Sequence, residues 1–144
     1  MALTAAQCTQ FRREHFLVVP GMIQKGLLRA LQQELEGIVD EAARTLYSRG
    51  QLTHLHSDLG FEHRLSALYN ENTAVRRMVT RAAQYPRPSA AHPTAGREWF
   101  NLLTHGPLLE AVGQLLGSSS VVVSGNHRLR PKLPKHEDIF SIPW

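Results

Sequence analysis

The sequence predicts an α+β chain in one domain of 144 residues, helical over 1–117 and β-rich over 118–144. Three observations carry that expectation. Apolar residues recur at three- and four-residue steps from Ile23 to Ala42, the period of an amphipathic helix. After Gly117 the period changes, and Val121-Val122-Val123 reads as a short strand. The strands implied after residue 121 are too few to satisfy one another's backbone groups, so the sheet they begin is incomplete.

The elements follow in order. Thr4 and Gln7 have capping-box spacing, which predicts a short helix from Ala5 to about Glu14. Phe16-Leu17-Val18-Val19 is an apolar, partly β-branched run stopped by Pro20-Gly21, the pattern of a short buried strand. Ile23, Leu27, Leu28, Leu31, Leu35, Ile38, Val39 and Ala42 then form one stripe, with Glu34, Glu36, Asp40 and Glu41 mostly off it. This long helix reaches Tyr47 or Ser48, and Gly50 ends it. Residues 51–60 are polar and His-rich, a loop. Phe61, Leu65 and Leu68 mark another short helix. Thr73 is placed to cap a third, carrying Val75, Met78, Val79 and Ala82.

Tyr85 to Gly96 holds three prolines among small residues and reads as a loop. Trp99, Phe100, Leu102 and Leu103 resume an ordered apolar segment. Pro107 suits the first turn of a helix whose buried face is Leu108, Leu109, Val112, Leu115 and Leu116, ended by Gly117. Beyond Val121-Val122-Val123, strands are expected at 127–130 and 139–142, with Gly125-Asn126 as a turn. The chain closes on apolar Ile142-Pro143-Trp144, which leads us to expect that more polypeptide follows.

Composition narrows the function classes. Hydrophobic residues make up 42% and charged residues 19%, values of a folded protein rather than a disordered one. The net charge of +4 comes mainly from arginine, with one cluster at Arg76, Arg77 and Arg81 and another at Arg128, Arg130, Lys132 and Lys135. The dense basic stripe with interleaved aromatics of a nucleic-acid binder is missing, so no nucleic-acid partner is expected. The one cysteine, Cys8, rules out an internal disulfide and a cysteine-based zinc site. There is neither a leader pattern at the start nor an apolar run of membrane-spanning length. A soluble, cytoplasmic protein without a membrane partner is the expectation.

Two His-x-Asp triplets, His56-Ser57-Asp58 and His136-Glu137-Asp138, could chelate one ion if they lay on extended strands. Both fall in polar connections, where a surface loop is the simpler reading, and His54-x-His56 shares that weakness. Cys8 reads as filler in the first helix rather than a nucleophile. No Gly-x-Ser-x-Gly elbow or phosphate-binding glycine loop occurs. Trp99-Phe100 and Trp144 read as core anchors or as the lining of an apolar channel.

Three features together resemble the phytanoyl-CoA dioxygenase family. They are Gln10 to Gly21, with His15-Phe16 where relatives usually have Gly-Phe or Gly-Tyr; the long helix from Ile23; and Leu129-Arg130-Pro131-Lys132-Leu133-Pro134 followed by Ile142-Pro143-Trp144. The last is the most specific, because in that family Pro-Trp is typically followed by His-Gln-Asp, which supplies two iron ligands. The resemblance implies N-terminal helices wrapping the first strands of a double-stranded β-helix, or jelly roll, here incomplete. It implies an Fe(II)- and 2-oxoglutarate-dependent hydroxylation of a small organic or acyl substrate by the whole protein. It places the iron ligands after Trp144, so this chain is expected to be a truncated member, inactive alone and binding neither cofactor by itself. It also implies that Arg64, Arg128 and Lys132 approach 2-oxoglutarate; the bland reading of each is a solvated surface residue. The alternative is a non-catalytic helical module that docks another protein.

Overall fold

The computed structural model describes residues 2–82, 96–123 and Pro131, and its described residues form six helices. These are α1 (Ala5–Glu14), α2 (Lys25–Ser48), α3 (Phe61–Glu71), α4 (Ala74–Ala82), α5 (Arg97–Leu103) and α6 (Gly106–Leu116). No strand occurs among the described residues. The α+β expectation is therefore corrected to a helical chain, and the jelly-roll expectation falls with it. The candidate strands at 127–130 and 139–142, and most of the Tyr85–Gly96 loop, lie outside the described residues.

The reason is visible at each failed strand. A short apolar run becomes a strand only beside a partner that takes up its backbone groups. Phe16–Val19 is instead an irregular connection between two left-handed turns, His15 at φ 61° and Gly21 at φ 73°. Phe16 and Val18 face solvent. Val121–Val123 is likewise irregular, and Val122 is 95% exposed.

The helices follow local chemistry closely. α1 carries the capping box: Thr4 Oγ1 accepts the Gln7 N–H, and Gln7 Oε1 accepts the Thr4 N–H at 2.8 Å. α2 ends in a Schellman turn: Gly50 at φ 67° lets its N–H reach the Tyr47 carbonyl while the Gln51 N–H reaches that of Leu46. Between α3 and α4 the turn is held by Asn72, whose Oδ1 accepts the Ala74 N–H at 2.9 Å. α6 has Pro107 in its first turn and ends at Gly117, φ 66°. Its buried residue is Ala111, whereas Leu116, expected inside, is largely exposed.

The chain divides into two compact units. The first comprises residues 1–34 and 95–126, the second 35–94 and 127–144, so α2 contributes to both. In the first unit α1 packs on α6, and the Leu3 N–H donates to Gln114 Oε1 at 2.6 Å. α5 begins at Gly96, which has no capping side chain of its own. Glu34 of α2 fills that role: Oε1 accepts the Gly96 N–H at 2.7 Å and Oε2 the Glu98 N–H at 2.8 Å.

The second unit holds the core. α3 packs on α4, and Leu46, Leu68, Val75 and Val79 are fully buried. Ile38, Val39, Ala42, Ala43, Leu52 and Tyr69 are buried with them. Each large apolar side chain so enclosed contributes about 1.5–3 kcal/mol. Among the described residues the first unit buries only Leu3 and Ala111 to the same degree.

Candidate functional site

The polar chemistry of the second unit gathers around the connection from α2 to α3. A cleft of about 200 Å³ lies there, lined by Glu36 and Val39 of α2, Ser57, Leu59 and Gly60 of the connection, and Phe61 and Arg64 of α3. Arg64, on the second turn of α3, is the site residue that the sequence singled out within this cleft. Its side chain is only 14% exposed. Nη2 donates to Asp40 Oδ1 at 2.7 Å and Nε donates to the Leu55 carbonyl at 3.1 Å. Asp40 also accepts from Arg44 Nε at 2.6 Å. The bond from Arg44, then that from Arg64, hold the Asp40 carboxyl below its ordinary range, against an opposing effect of burial.

Arg64 is thus an anchor between α2, α3 and the connecting segment. The described part of the cleft does not by itself fit 2-oxoglutarate. The Arg64 guanidinium is already answered by Asp40, and an acidic residue, Glu36, lines the same cleft. Arg128 and Lys132, the other two expected cofactor contacts, lie outside the described residues, as does His136-Glu137-Asp138.

His56-Ser57-Asp58 lies in the loop, as expected, and not on a strand. His56 takes a left-handed conformation, φ 47°, and a turn follows it. Its Nε2 faces Glu71 Oε2 at 3.3 Å. Glu71, the last residue of α3, is the hub of this region and was not singled out from the sequence. Its Oε1 accepts both the N–H and, at 2.6 Å, the hydroxyl of Thr53. Those two bonds, with His56 and the nearby His54, pull its carboxyl down to about 2. Thr53 Oγ1 also meets His54 Nδ1 at 2.8 Å, and the His54 and His56 rings lie 5.8 Å apart. Nothing local marks Glu71 in the sequence, because its partners stand 15 and 18 residues earlier.

Among the described residues no three His, Cys, Asp or Glu side chains are grouped to hold a metal ion. No helix among them is long and apolar enough to cross a membrane. Set against family models, curated proteins and solved structures, the chain finds no match in any of the three comparisons.

Proposed function

We propose that this chain supplies the helical portion of an iron- and 2-oxoglutarate-dependent oxygenase of the phytanoyl-CoA dioxygenase type, and is not catalytic by itself. The observation that carries the reading is the motif Leu129-Arg130-Pro131-Lys132-Leu133-Pro134 followed by Ile142-Pro143-Trp144. One structural detail supports it. At His15 this chain departs from the glycine usual in that family, and His15 stands at φ 61°, where glycine would be free of strain. In this reading the whole protein hydroxylates an unactivated carbon of a small organic or acyl substrate. Iron is held by a His-x-Asp pair and a distant His that the resemblance places after Trp144. Cys8, the sole cysteine, suits a cytoplasmic setting.

The test has two arms. Iron-dependent succinate formation from 2-oxoglutarate is measured for the 144-residue chain and for the same chain continued through the coding sequence after Trp144. No turnover is expected from the first and turnover from the second. Turnover by the 144-residue chain overturns its non-catalytic role. A continuation without His-x-Asp overturns the family reading.

A second reading, a helical module that docks another protein, is favoured by the exposure of Val18 (74%), Leu116 (67%), Phe100 and Phe16 in the first unit. Its discriminator is thermal unfolding of the isolated chain. An independent module unfolds in one sharp transition, and a dependent portion of a larger domain does not.

A further inference from the structure

We propose that residues 51–60 form a pH-sensitive strap across α3, in which protonation of His56 tightens the hold on Glu71 and stiffens the wall of the adjoining cleft. The strap is fixed at five places. The Gln51 carbonyl accepts from Asn72 Nδ2, and the Thr53 N–H and hydroxyl donate to Glu71. The Leu55 carbonyl accepts from Arg64, and His56 Nε2 faces Glu71. Four of these contacts keep their chemistry at any pH near neutrality. The fifth joins an imidazole to a carboxylate, and it alone becomes an ion pair when the ring takes up a proton.

His56 is also the strained point of the strap. A left-handed conformation crowds a Cβ against the backbone, so φ 47° persists only where surrounding contacts hold it. The residues that form the cleft wall, Ser57, Leu59 and Gly60, follow directly, and the Leu59 N–H closes back on the His56 carbonyl at 3.3 Å. A change in the grip on His56 therefore passes straight to that wall. Glu71 itself remains ionised, since the Thr53 hydroxyl and N–H pull its carboxyl down to about 2.

Among the described residues the neighbouring charges leave the effect visible. On the strap these are His54 and Asp58. On α3, Arg64 is engaged by Asp40 of α2, and Arg44 engages Asp40 in turn. His54 meets Thr53 rather than Glu71 directly, so its protonation adds attraction at longer range. The strap stands on this geometry and is independent of the oxygenase reading.

Amide exchange of the full chain, corrected for intrinsic rates, tests it at about pH 7.5 and about pH 5.5. Protection of the Thr53–Leu59 amides is expected to rise about two- to fivefold at the lower pH, the range of a solvent-accessible ion pair. His56→Gln and Glu71→Gln should each abolish the rise, and His54→Gln should preserve most of it. Absence of a rise in the unaltered chain, or its survival in His56→Gln, overturns the proposal. The amides of Leu68 and Val79 report whether each variant folds. Should Glu71→Gln fail that check, the unaltered chain and His56→Gln still decide.

Discussion

Removing the Glu34 carboxylate should loosen α5 while leaving α2 helical. Glu34 is the capping group of a helix that begins more than sixty residues later, with bonds of 2.7 and 2.8 Å to the Gly96 and Glu98 N–H groups. Those donors are among the four that a helix start leaves unpaired, and the carboxylate also meets the positive end of the α5 dipole. Loss of a capping side chain costs about 1 kcal/mol, and a hydrogen bond to a charged group contributes about 1.5–3 kcal/mol. Water reaches a partly open site and replaces some of this, so Glu34→Ala should cost about 1.5–2 kcal/mol. For a chain of this length that lowers the melting temperature by roughly 4–8 °C, followed by circular dichroism. Glu34→Gln keeps one acceptor and turns an amide N–H toward the other donor, so it should lie between the two. Amide exchange at Phe100 to Thr104 should accelerate in the same order. A Glu34→Ala melting temperature within about 1 °C of the parent would refute the reasoning, since that shift matches loss of a surface contact.

Asp40→Ala should cost about 2–3 kcal/mol by urea titration, because it leaves the Arg64 guanidinium, 14% exposed, without its carboxylate. Combining it with Arg64→Leu should recover most of that loss. Gly113→Ala should destabilise by about 1–2 kcal/mol although alanine is the better helix former. Its Cβ would stand 2.8 Å from the Ser118 carbonyl oxygen, where the backbone folds back at the end of α6, and a raised melting temperature would exclude that clash. Acid should unfold the strap region. Glu71, ordinarily 4.5, is held at about 2 in the folded chain, and Asp40 is also depressed. A carboxylate with a depressed folded value adds stability above its unfolded value, and that stability is lost as pH falls through the folded one. Stability measured at fixed urea should therefore decline from 4.5 toward about 2, and Glu71→Gln should flatten that decline.

What the sequence reveals here is what depends on near neighbours. The Thr4–Gln7 box, the stripe of α2 and the Pro107 and Gly117 signals of α6 each act within a few residues, and each helix forms where those signals put it. Phe16–Val19 has the composition of a strand, but strand formation is decided by a partner elsewhere. The buried face of α6 differs from the one its leucines suggest for a related reason. Its many leucines offer more than one apolar stripe, and packing on α1 selects the side bearing Ala111. The same distance rule applies at the candidate site. Arg64 was marked by resemblance alone, while Asp40 lies 24 residues before it and Thr53 lies 18 before Glu71. The glutamate that starts α5 is further away still.

The unequal division of buried side chains has a kinetic consequence. Spontaneous openings of a native protein begin where little apolar surface must be wetted. Residues 35–82, with ten of the twelve apolar side chains enclosed among the described residues, form the slow-opening block, while α1, α5 and α6 open at lower cost. A protease that cuts after bulky apolar residues would accordingly enter at Phe16, which is exposed and lies in irregular backbone, and release the first helix before the core is breached.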